Sequence, residues 1–100
     1  MLNKDVFSLL GLASCARKIT TGDVLIKDIR SHKVNLVLIA EDASDNTKKK
    51  ITDKCIFYKI SYIFIESSED LSRAIGKDNR MAVGILDRGF ADKIKSKLGG

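Results

Sequence analysis

The sequence contains no proline and no tryptophan, and its 100 residues include one histidine and two cysteines. Without proline-rich or low-complexity tracts, collagen-like and intrinsically disordered classes are excluded. No apolar run approaches the roughly 18 residues that a membrane span needs. The polar residues at the start of the chain lack the apolar core of a signal peptide. We therefore expect a cytoplasmic protein that does not contact a membrane.

The few cysteine and histidine residues also limit the chemistry of the chain. Cys15 and Cys55 are far apart, and His32 is the one imidazole that could join them. A zinc site needs about four ligands, usually in close pairs, so we predict no metal and two free, buried thiols. A serine or cysteine nucleophile needs a positioned base, and His32 falls in a polar helix end. The sequence therefore predicts a protein that is not an enzyme and needs no cofactor.

The residues that are abundant indicate one folded domain with a basic surface. The chain is 44% hydrophobic and 31% charged, which suffices for a real core in a domain of this size. No linker or internal repeat divides it, so we predict a single domain over residues 1–100. The net charge of +5 favours a polyanionic partner such as a nucleic acid.

The spacing of apolar residues alternates between helical and strand-like along the chain. Predicted helices cover about residues 4–15, 23–31, 47–58, 67–75 and 87–98, the last ending at Gly99-Gly100. Predicted strands cover about residues 16–21, 34–40, 62–65 and 82–86. The strands at 34–40 and 62–65 are nearly continuous in apolar residues, which is typical of burial on both faces. This alternation predicts a three-layer α/β/α sandwich around a small, mostly four-stranded mixed sheet.

Short polar side chains stand where helices are predicted to begin. Thr21 or Asp23 is suited to cap the second helix, and Ser67 the fourth, because side-chain oxygens accept bonds from free backbone N–H groups. Glu41 and Asp42 follow the central strand, where paired carboxylates could bind Mg²⁺ or act as acid and base. We favour the simpler interpretation that they cap the next helix.

Three segments are predicted to meet at one end of such a sandwich: residues 17–23, 41–44 and 76–81. A helix N-terminus offers free N–H groups and positive potential to phosphate or to base acceptor atoms. Five cations would surround it: Arg17, Lys18, Lys27, Lys77 and Arg80. The pattern alone is equally compatible with ordinary solvated loops.

Several segments, taken in order, resemble a known protein family. They read Leu-Gly-Leu-Ala-Ser-Cys-Ala-Arg-Lys at 10–18, Leu-Val-Leu-Ile-Ala-Glu-Asp-Ala-Ser at 36–44 and Leu-Ser-Arg-Ala-Ile-Gly-Lys at 71–77. The set is similar to the kink-turn-binding ribosomal protein superfamily. The stretch 41–50 and Gly89-Phe90-Ala91 resemble its small bacterial YlxQ-type branch. The resemblance covers essentially the whole chain.

The resemblance implies a non-enzymatic protein that recognises a bent RNA, the kink-turn, whose bulge is followed by sheared G·A pairs. The second helix of such proteins enters the opened major groove, and the loop before the last strand packs on extruded nucleotides. The implied partner is structured RNA, of the ribosome or another non-coding RNA, and binding needs no cofactor. We expect a monomer, because RNA would occupy the one binding surface identified above. The RNA-binding residues expected from the pattern and the resemblance are Arg17, Lys18, Thr20, Thr21, Gly22, Asp23, Val24, Lys27, Glu41, Asp42, Lys77, Asn79, Arg80 and Met81.

The groove-facing block departs from the family pattern. The typical block reads Gly-Thr-Asn-Glu, two residues and Lys, whereas this chain has Thr21-Gly22-Asp23-Val24 before Lys27. A carboxylate at Asp23 would repel phosphate, and Val24 cannot accept a hydrogen bond. Two alternatives therefore stay open: a protein-interaction module on the same fold with reduced RNA affinity, and a small Mg²⁺-dependent enzyme built on Glu41 and Asp42.

Overall fold

Helices and strands alternate along the computed structural model, which describes residues 3–98. The helices are α1 (Lys4–Cys15), α2 (Gly22–Arg30), α3 (Asp45–Phe57), α4 (Ser68–Ala74) and α5 (Arg88–Lys97). The strands are β1 (Ile19–Thr21), β2 (Leu36–Ala40), β3 (Ser61–Ile65) and β4 (Ala82–Ile85). The helix end expected at Gly99-Gly100 and the first two residues of the polar start lie outside the described range. None of the helices within that range has the length and apolar character needed to cross a bilayer.

The strands form one mixed sheet in the order β1-β4-β2-β3. Strand β2 is parallel to β3 and antiparallel to β4, which in turn is antiparallel to β1. Residues of α1, α4 and α5 form a core cluster on one face, around Leu10, Leu71 and Ile94. Residues of α2 and α3 form a second cluster on the other face, around Leu25 and Ile51. The predicted three-layer α/β/α sandwich with a four-stranded mixed sheet is confirmed.

Strand β2 lies at the centre of this arrangement, and all five of its residues are buried. Because side chains alternate along a strand, Leu36 and Leu38 join the cluster beneath α1, α4 and α5. Val37 and Ile39 join the cluster beneath α2 and α3. A strand covered on both faces needs apolar residues at every position, and this explains the continuous apolar run in the sequence.

Strand β3 does not have the burial that its sequence predicts. It pairs with β2 alone and therefore forms one edge of the sheet. Of its residues, Ile65 is buried, whereas Phe64 is 40% exposed. The expectation of a second fully buried strand is wrong, because the position of a strand within the sheet depends on tertiary pairing rather than on its own apolar run.

The two cysteines are free, as predicted, but they differ in exposure. Cys55 is buried on the inner side of α3, and burial raises the pKa of its thiol to about 11. Cys15 is exposed at the last residue of α1. The expectation that both thiols are buried is wrong for Cys15, because the buried stripe of α1 consists of Val6, Leu10 and Ala13.

The strand directions bring several chain segments to one end of the sheet. Strands β1, β2 and β3 all run the same way, and β4 runs against them. The carboxyl ends of the first three strands and the amino end of β4 therefore lie together, at the end that we call the carboxyl end of the sheet. Helices α2, α3 and α4 each follow one of those strands and begin there.

Gly84 in β4 allows α2 to pack closely on the sheet. A methyl group built at this position would lie 2.6 Å from Leu25 Cδ1 and 2.8 Å from Thr20 Cγ2. Real side chains do not approach so closely, so any larger residue would push α2 away from β4. Gly11 in α1 provides a contrast, because a methyl group there would meet its nearest neighbour, the Ala74 carbonyl oxygen, at 3.6 Å.

We expect Gly84→Ala to lower the free energy of unfolding by about 1–3 kcal/mol, because overpacking displaces α2. Gly11→Ala is the matched control, since it adds the same methyl group where there is room and where alanine favours the helix by about 1 kcal/mol. Urea unfolding followed by circular dichroism measures both. Equal stability of the two variants would show that the contact between α2 and β4 is looser than described.

Candidate nucleic-acid interface

A cleft of about 250 Å³ opens at the carboxyl end of the sheet. We call it the α2 cleft. The start of α2, the first turns of α3 and the loop before β4 enclose it. Its polar and charged lining residues are Asp23, Thr47, Lys50, Asn79 and Arg80. Its other lining residues are Gly22, Leu25, Ile26, Ile51, Met81 and Ala82. Two of the three segments predicted to meet, 17–23 and 76–81, thus contribute residues to one site.

The N-terminus of α2 lacks the side-chain cap that the other described helices have. Thr21 occupies the cap position with extended backbone angles, but its side chain forms no capping hydrogen bond. The prediction that Thr21 or Asp23 caps α2 is therefore not met within residues 3–98. The first N–H groups of a helix have no partner inside the helix, so those of α2 are available to an external acceptor. The capping side chains of the other helices are Asn3, Ser44, Ser67 and Asp87.

Arg80 lies beside this helix start. A methyl group built on Gly22 would be 3.9 Å from Arg80 Nη1, so the guanidinium lies close to the first residue of α2. The buried Nε of Arg80 has no hydrogen-bond partner among the described residues. Gly22 has a φ of +64°, a left-handed conformation that side chains disfavour. The site thus combines free backbone N–H groups with a guanidinium that retains an unused donor.

The loop at 76–81 is fixed by Ser72 of α4, whose side chain is buried. Ser72 Oγ accepts a hydrogen bond from Arg80 N at 2.8 Å and donates one to Arg80 O at 3.2 Å. The Ser72 carbonyl accepts from Lys77 N at 2.9 Å. Asn79 completes the turn with a φ of +52°. Three bonds to one residue therefore set the position from which Arg80 extends.

Asp42 does not cap the helix that follows it. Ser44 caps α3, with its Oγ accepting from Thr47 N at 3.2 Å. The carboxylate of Asp42 instead accepts from both the N–H and the hydroxyl of Ser68, each at 2.9 Å, at the start of α4. The expectation that Asp42 caps the next helix is wrong, because its partner lies 26 residues further along the chain. The hydrogen bond from the Ser68 hydroxyl lowers the pKa of the Asp42 carboxyl below its ordinary value of 3.8.

Glu41 has an exposed side chain, and its contribution to local structure is its backbone. Its carbonyl oxygen accepts a hydrogen bond from Lys48 Nζ at 3.1 Å, and its N–H donates to Ile65 O at 2.7 Å. Within residues 3–98, no group of three or more potential ligands is placed to hold a metal ion. Glu41 and Asp42 therefore do not form part of a described metal site.

Arg17 and Lys18 lie at the other end of β1 from the α2 cleft. The Lys18 carbonyl accepts from Leu86 N at 2.7 Å, beyond the carboxyl end of β4. The three residues of β1 separate Lys18 from Gly22, a distance of about 13 Å at the rise of a strand. The expectation that all of 17–23 lies at one end is therefore wrong. Thr20 is also not on the surface, since it is 6% exposed and faces the sheet interior.

Of the remaining sequence-predicted residues, Met81 lines the cleft, whereas Val24, Lys27 and Lys77 have accessible side chains but are not among its lining residues. Val24 is 57% exposed in the first turn of α2, and Lys27 is exposed in the next turn. Lys77 is exposed in the loop, and Met81 is half-buried at its end. Thr47 and Lys50, which also line the cleft, were not among the residues predicted from the sequence. Their three-residue spacing on a helix that follows a strand was the signal available for finding them.

The family described as "Ribosomal protein L7Ae/L30e/S12e/Gadd45 family" matches residues 4–95. The chain belongs to this family. Among L7Ae-family relatives, "RNA-binding protein YlxQ" of Bacillus subtilis (strain 168) is 50% identical over 99 residues, which are 98% of this chain and 99% of the relative. "RNA-binding protein YlxQ" of Enterococcus faecium is 44% identical over 98 residues, which are 97% of this chain and 94% of the relative.

Solved structures share the L7Ae-family fold. A Bacillus halodurans C protein of unknown function has a TM-score of 0.92 at 37% identity, with 98% of this chain and 100% of that chain covered. The Giardia lamblia 15.5kD RNA binding protein has a TM-score of 0.79 at 22% identity, covering 99% of this chain and 92% of the other. The second comparison supports the fold alone. Both comparisons agree with the α/β/α fold that the alternation of helices and strands predicts.

We expect Asp42→Ala to destabilise the protein at neutral pH, because the start of α4 loses both bonds to the carboxylate. The pKa of Asp42 is lower in the folded chain than in the unfolded chain, so its contribution exists above about pH 4 and is lost as the pH falls through the folded value. The stability difference between wild type and variant should therefore narrow with acidification. Urea unfolding at a series of pH values measures it, and a pH-independent difference would contradict the assignment.

We expect Ser72→Ala to cost about 1–3 kcal/mol of stability, because it leaves the Arg80 N–H without its partner. The backbone amide hydrogen of Arg80 should exchange faster than the loss of global stability alone would cause. The amide hydrogens of β2 should exchange at a rate set by the free energy of global unfolding. Ser96→Ala, at an exposed position of α5, is the control and should change neither measurement. Unchanged exchange at Arg80 in the Ser72 variant would show that other contacts hold the loop.

Proposed function

We propose that this protein binds structured RNA at the α2 cleft without catalysing a reaction. The observation that carries the proposal is the uncapped start of α2 beside the Arg80 guanidinium. Helix N–H groups and a guanidinium are both donors, and the phosphates and base edges of RNA are rich in acceptors. The printed names of the Bacillus subtilis and Enterococcus faecium relatives, which span nearly the whole chain, support the same partner.

The shape of the cleft favours distorted RNA over a regular duplex. The major groove of A-form RNA is deep and narrow, so protein elements reach bases where the helix is bent or bases are splayed out. The exposed first turn of α2 could enter such an opening, while the loop at 76–81 contacts bases beside it. Binding of this kind stabilises the bent conformer to the extent that the protein binds it more tightly than the extended one. No cofactor is required.

We further propose that the bent RNA is a kink-turn with sheared G·A pairs. Asp23 lines the cleft, and its carboxylate can accept hydrogen bonds from guanine N–H groups. Val24 is exposed beside it and can make only apolar contact. One fewer polar base contact would cost about 1–3 kcal/mol of discrimination, by analogy with DNA readout. We therefore expect a weaker preference for the kink-turn than the typical family block would provide.

The proposal also covers the class of RNA, the cellular compartment and the oligomeric state of the protein. The family that matches the chain is described as one of ribosomal proteins, which favours ribosomal or other non-coding RNA in the cytoplasm as the target. The α2 cleft is built within one chain, between α2, α3 and the loop before β4. A second copy is not needed to complete it, so we propose that the protein binds as a monomer.

The test is a salt-dependent titration with two RNAs: a kink-turn carrying tandem G·A pairs, and the same duplex with those pairs made Watson–Crick. We expect tighter binding to the first. Arg80→Ala should weaken that binding about tenfold and reduce the slope of log K against log salt by about one. The matched control is Arg88→Ala, an exposed arginine of α5 at the other end of the sheet, which should change neither.

Other outcomes of this titration would overturn the proposal. Equal, salt-sensitive binding to both RNAs, unaffected by Arg80→Ala, would indicate a nonspecific basic surface. Binding to neither RNA would favour the protein-interaction alternative on the same fold. A specific response to Mg²⁺ in the spectra of Glu41 and Asp42 would reopen the enzymatic alternative.

A further inference from the structure

A second surface leads away from the α2 cleft along the side of α3 that faces α2. Lys50 lines the cleft together with Gly22 and Asp23. Eight residues later, the ring of Tyr58 lies 5.5 Å from that of His32, just beyond the end of α2. Residues four apart share one side of a helix, so Lys54 lies between Lys50 and Tyr58 on the same side. We call this side the α2–α3 seam.

The far end of the seam carries three aromatic rings in contact. Tyr58 meets His32 edge-to-face at 79°, and it meets Phe57 with ring centroids 4.8 Å apart, also at 79°. Phe57 is 76% exposed, so most of its surface makes no contact with the described core. Water is an unfavourable environment for such a surface, and exposed apolar groups of this size often mark binding sites. We call His32, Phe57 and Tyr58 the ring cluster.

The charges along the seam are mostly positive and unpaired. Lys48 lies on another side of α3. Its Nζ donates a hydrogen bond to the Glu41 carbonyl oxygen and lies 3.9 Å from Asp45 Oδ1. By contrast, no ion pair or hydrogen bond among residues 3–98 engages the side chains of Lys50 or Lys54. Three further cations, Arg30, Lys33 and Lys59, lie within two residues of the ring cluster along the chain, and two acids, Asp28 and Asp53, each lie four residues before one of its members. A ligand that complements this surface carries negative charges and flat apolar groups.

We propose that the α2–α3 seam binds single-stranded RNA leaving the α2 cleft. The phosphates lie beside Lys50 and Lys54, and an unpaired base stacks on Phe57. Single-strand binding surfaces combine these two features, a cationic path and exposed aromatic faces. From Lys50 to Phe57 is about 10 Å along the helix axis, which corresponds to about three stacked nucleotides. The inference rests on the proposed function, because it extends the RNA that enters the α2 cleft.

The experiment compares the kink-turn RNA with and without a single-stranded extension of about six nucleotides, placed in turn at each strand end. We expect the extension at one end to tighten binding about fivefold or more, the minimum for one stacked base. Phe57→Ala should remove that gain and leave the affinity for the unextended RNA unchanged. Lys54→Gln should lower the salt slope by about 0.7 on the extended RNA alone.

Matched variants separate the seam from general surface effects. Phe64→Ala removes another exposed phenylalanine, on β3, and Lys93→Gln removes an exposed lysine of α5 on the opposite face of the sheet. Neither should change the gain from the extension. Phe57→Ala is expected to fold normally, which urea unfolding checks, because so little of that side chain is buried.

The inference and the proposed function fail in different ways. If the unextended kink-turn binds but no extension adds affinity, the seam does not bind RNA and the proposed function stands. Equal losses with Phe57→Ala on both RNAs would also overturn the inference. If the kink-turn itself does not bind, a single-stranded oligonucleotide tested alone decides the matter. If the oligonucleotide binds and Phe57→Ala weakens that binding, the proposal that the seam binds single-stranded RNA is supported. If it does not bind, or binds equally well to the variant, the proposal is overturned.

Discussion

Strand β2 has no residue in contact with water, and a strand of this kind requires a helical layer on each face of its sheet. That burial requirement determines the remainder of the architecture. Strands β1, β2 and β3 run in one direction, and each is followed by a helix. Helices α2 and α3 return the chain across the sheet to the next parallel strand, whereas β4 runs the opposite way and begins at the end where β3 ends. Helices α2, α3 and α4 consequently begin at the same end. The α2 cleft is located where the starts of α2 and α3 meet the loop that enters β4.

The alternation of helices and strands was predictable because it depends on local periodicity, and both layers and the strand count were found correctly. Predictions failed where a residue's surroundings come from a distant part of the chain. The apolar run of β3 gives no sign that only β2 pairs with it. The acceptor role of Asp42 depends on Ser68, and Arg17 and Lys18 are separated from Gly22 by the extended backbone of β1.

The candidate site shows the same division between local and distant information. The start of α2 and the loop at 76–81 were identified from helix-start residues, cations and family resemblance. The absence of a cap from Thr21 could not be read from its residue type, because threonine is a common capping residue. The two bonds between Ser72 and Arg80 depend on how α4 packs against the loop. Lys50 reaches the cleft because α2 and α3 lie side by side, which the sequence pattern does not specify.

The pairing of β1 with β4 has a consequence for biosynthesis. Thr20 is aligned with Gly84, so the contact joins residues near opposite ends of the chain and closes a long loop. During translation the amino-terminal part of a chain emerges first. The start of α2 is made early, but Arg80 and the strand that positions it are added late. A nascent chain that ends before β4 has no α2 cleft, so the proposed RNA contacts form only after β4 has been synthesised and has paired with β1.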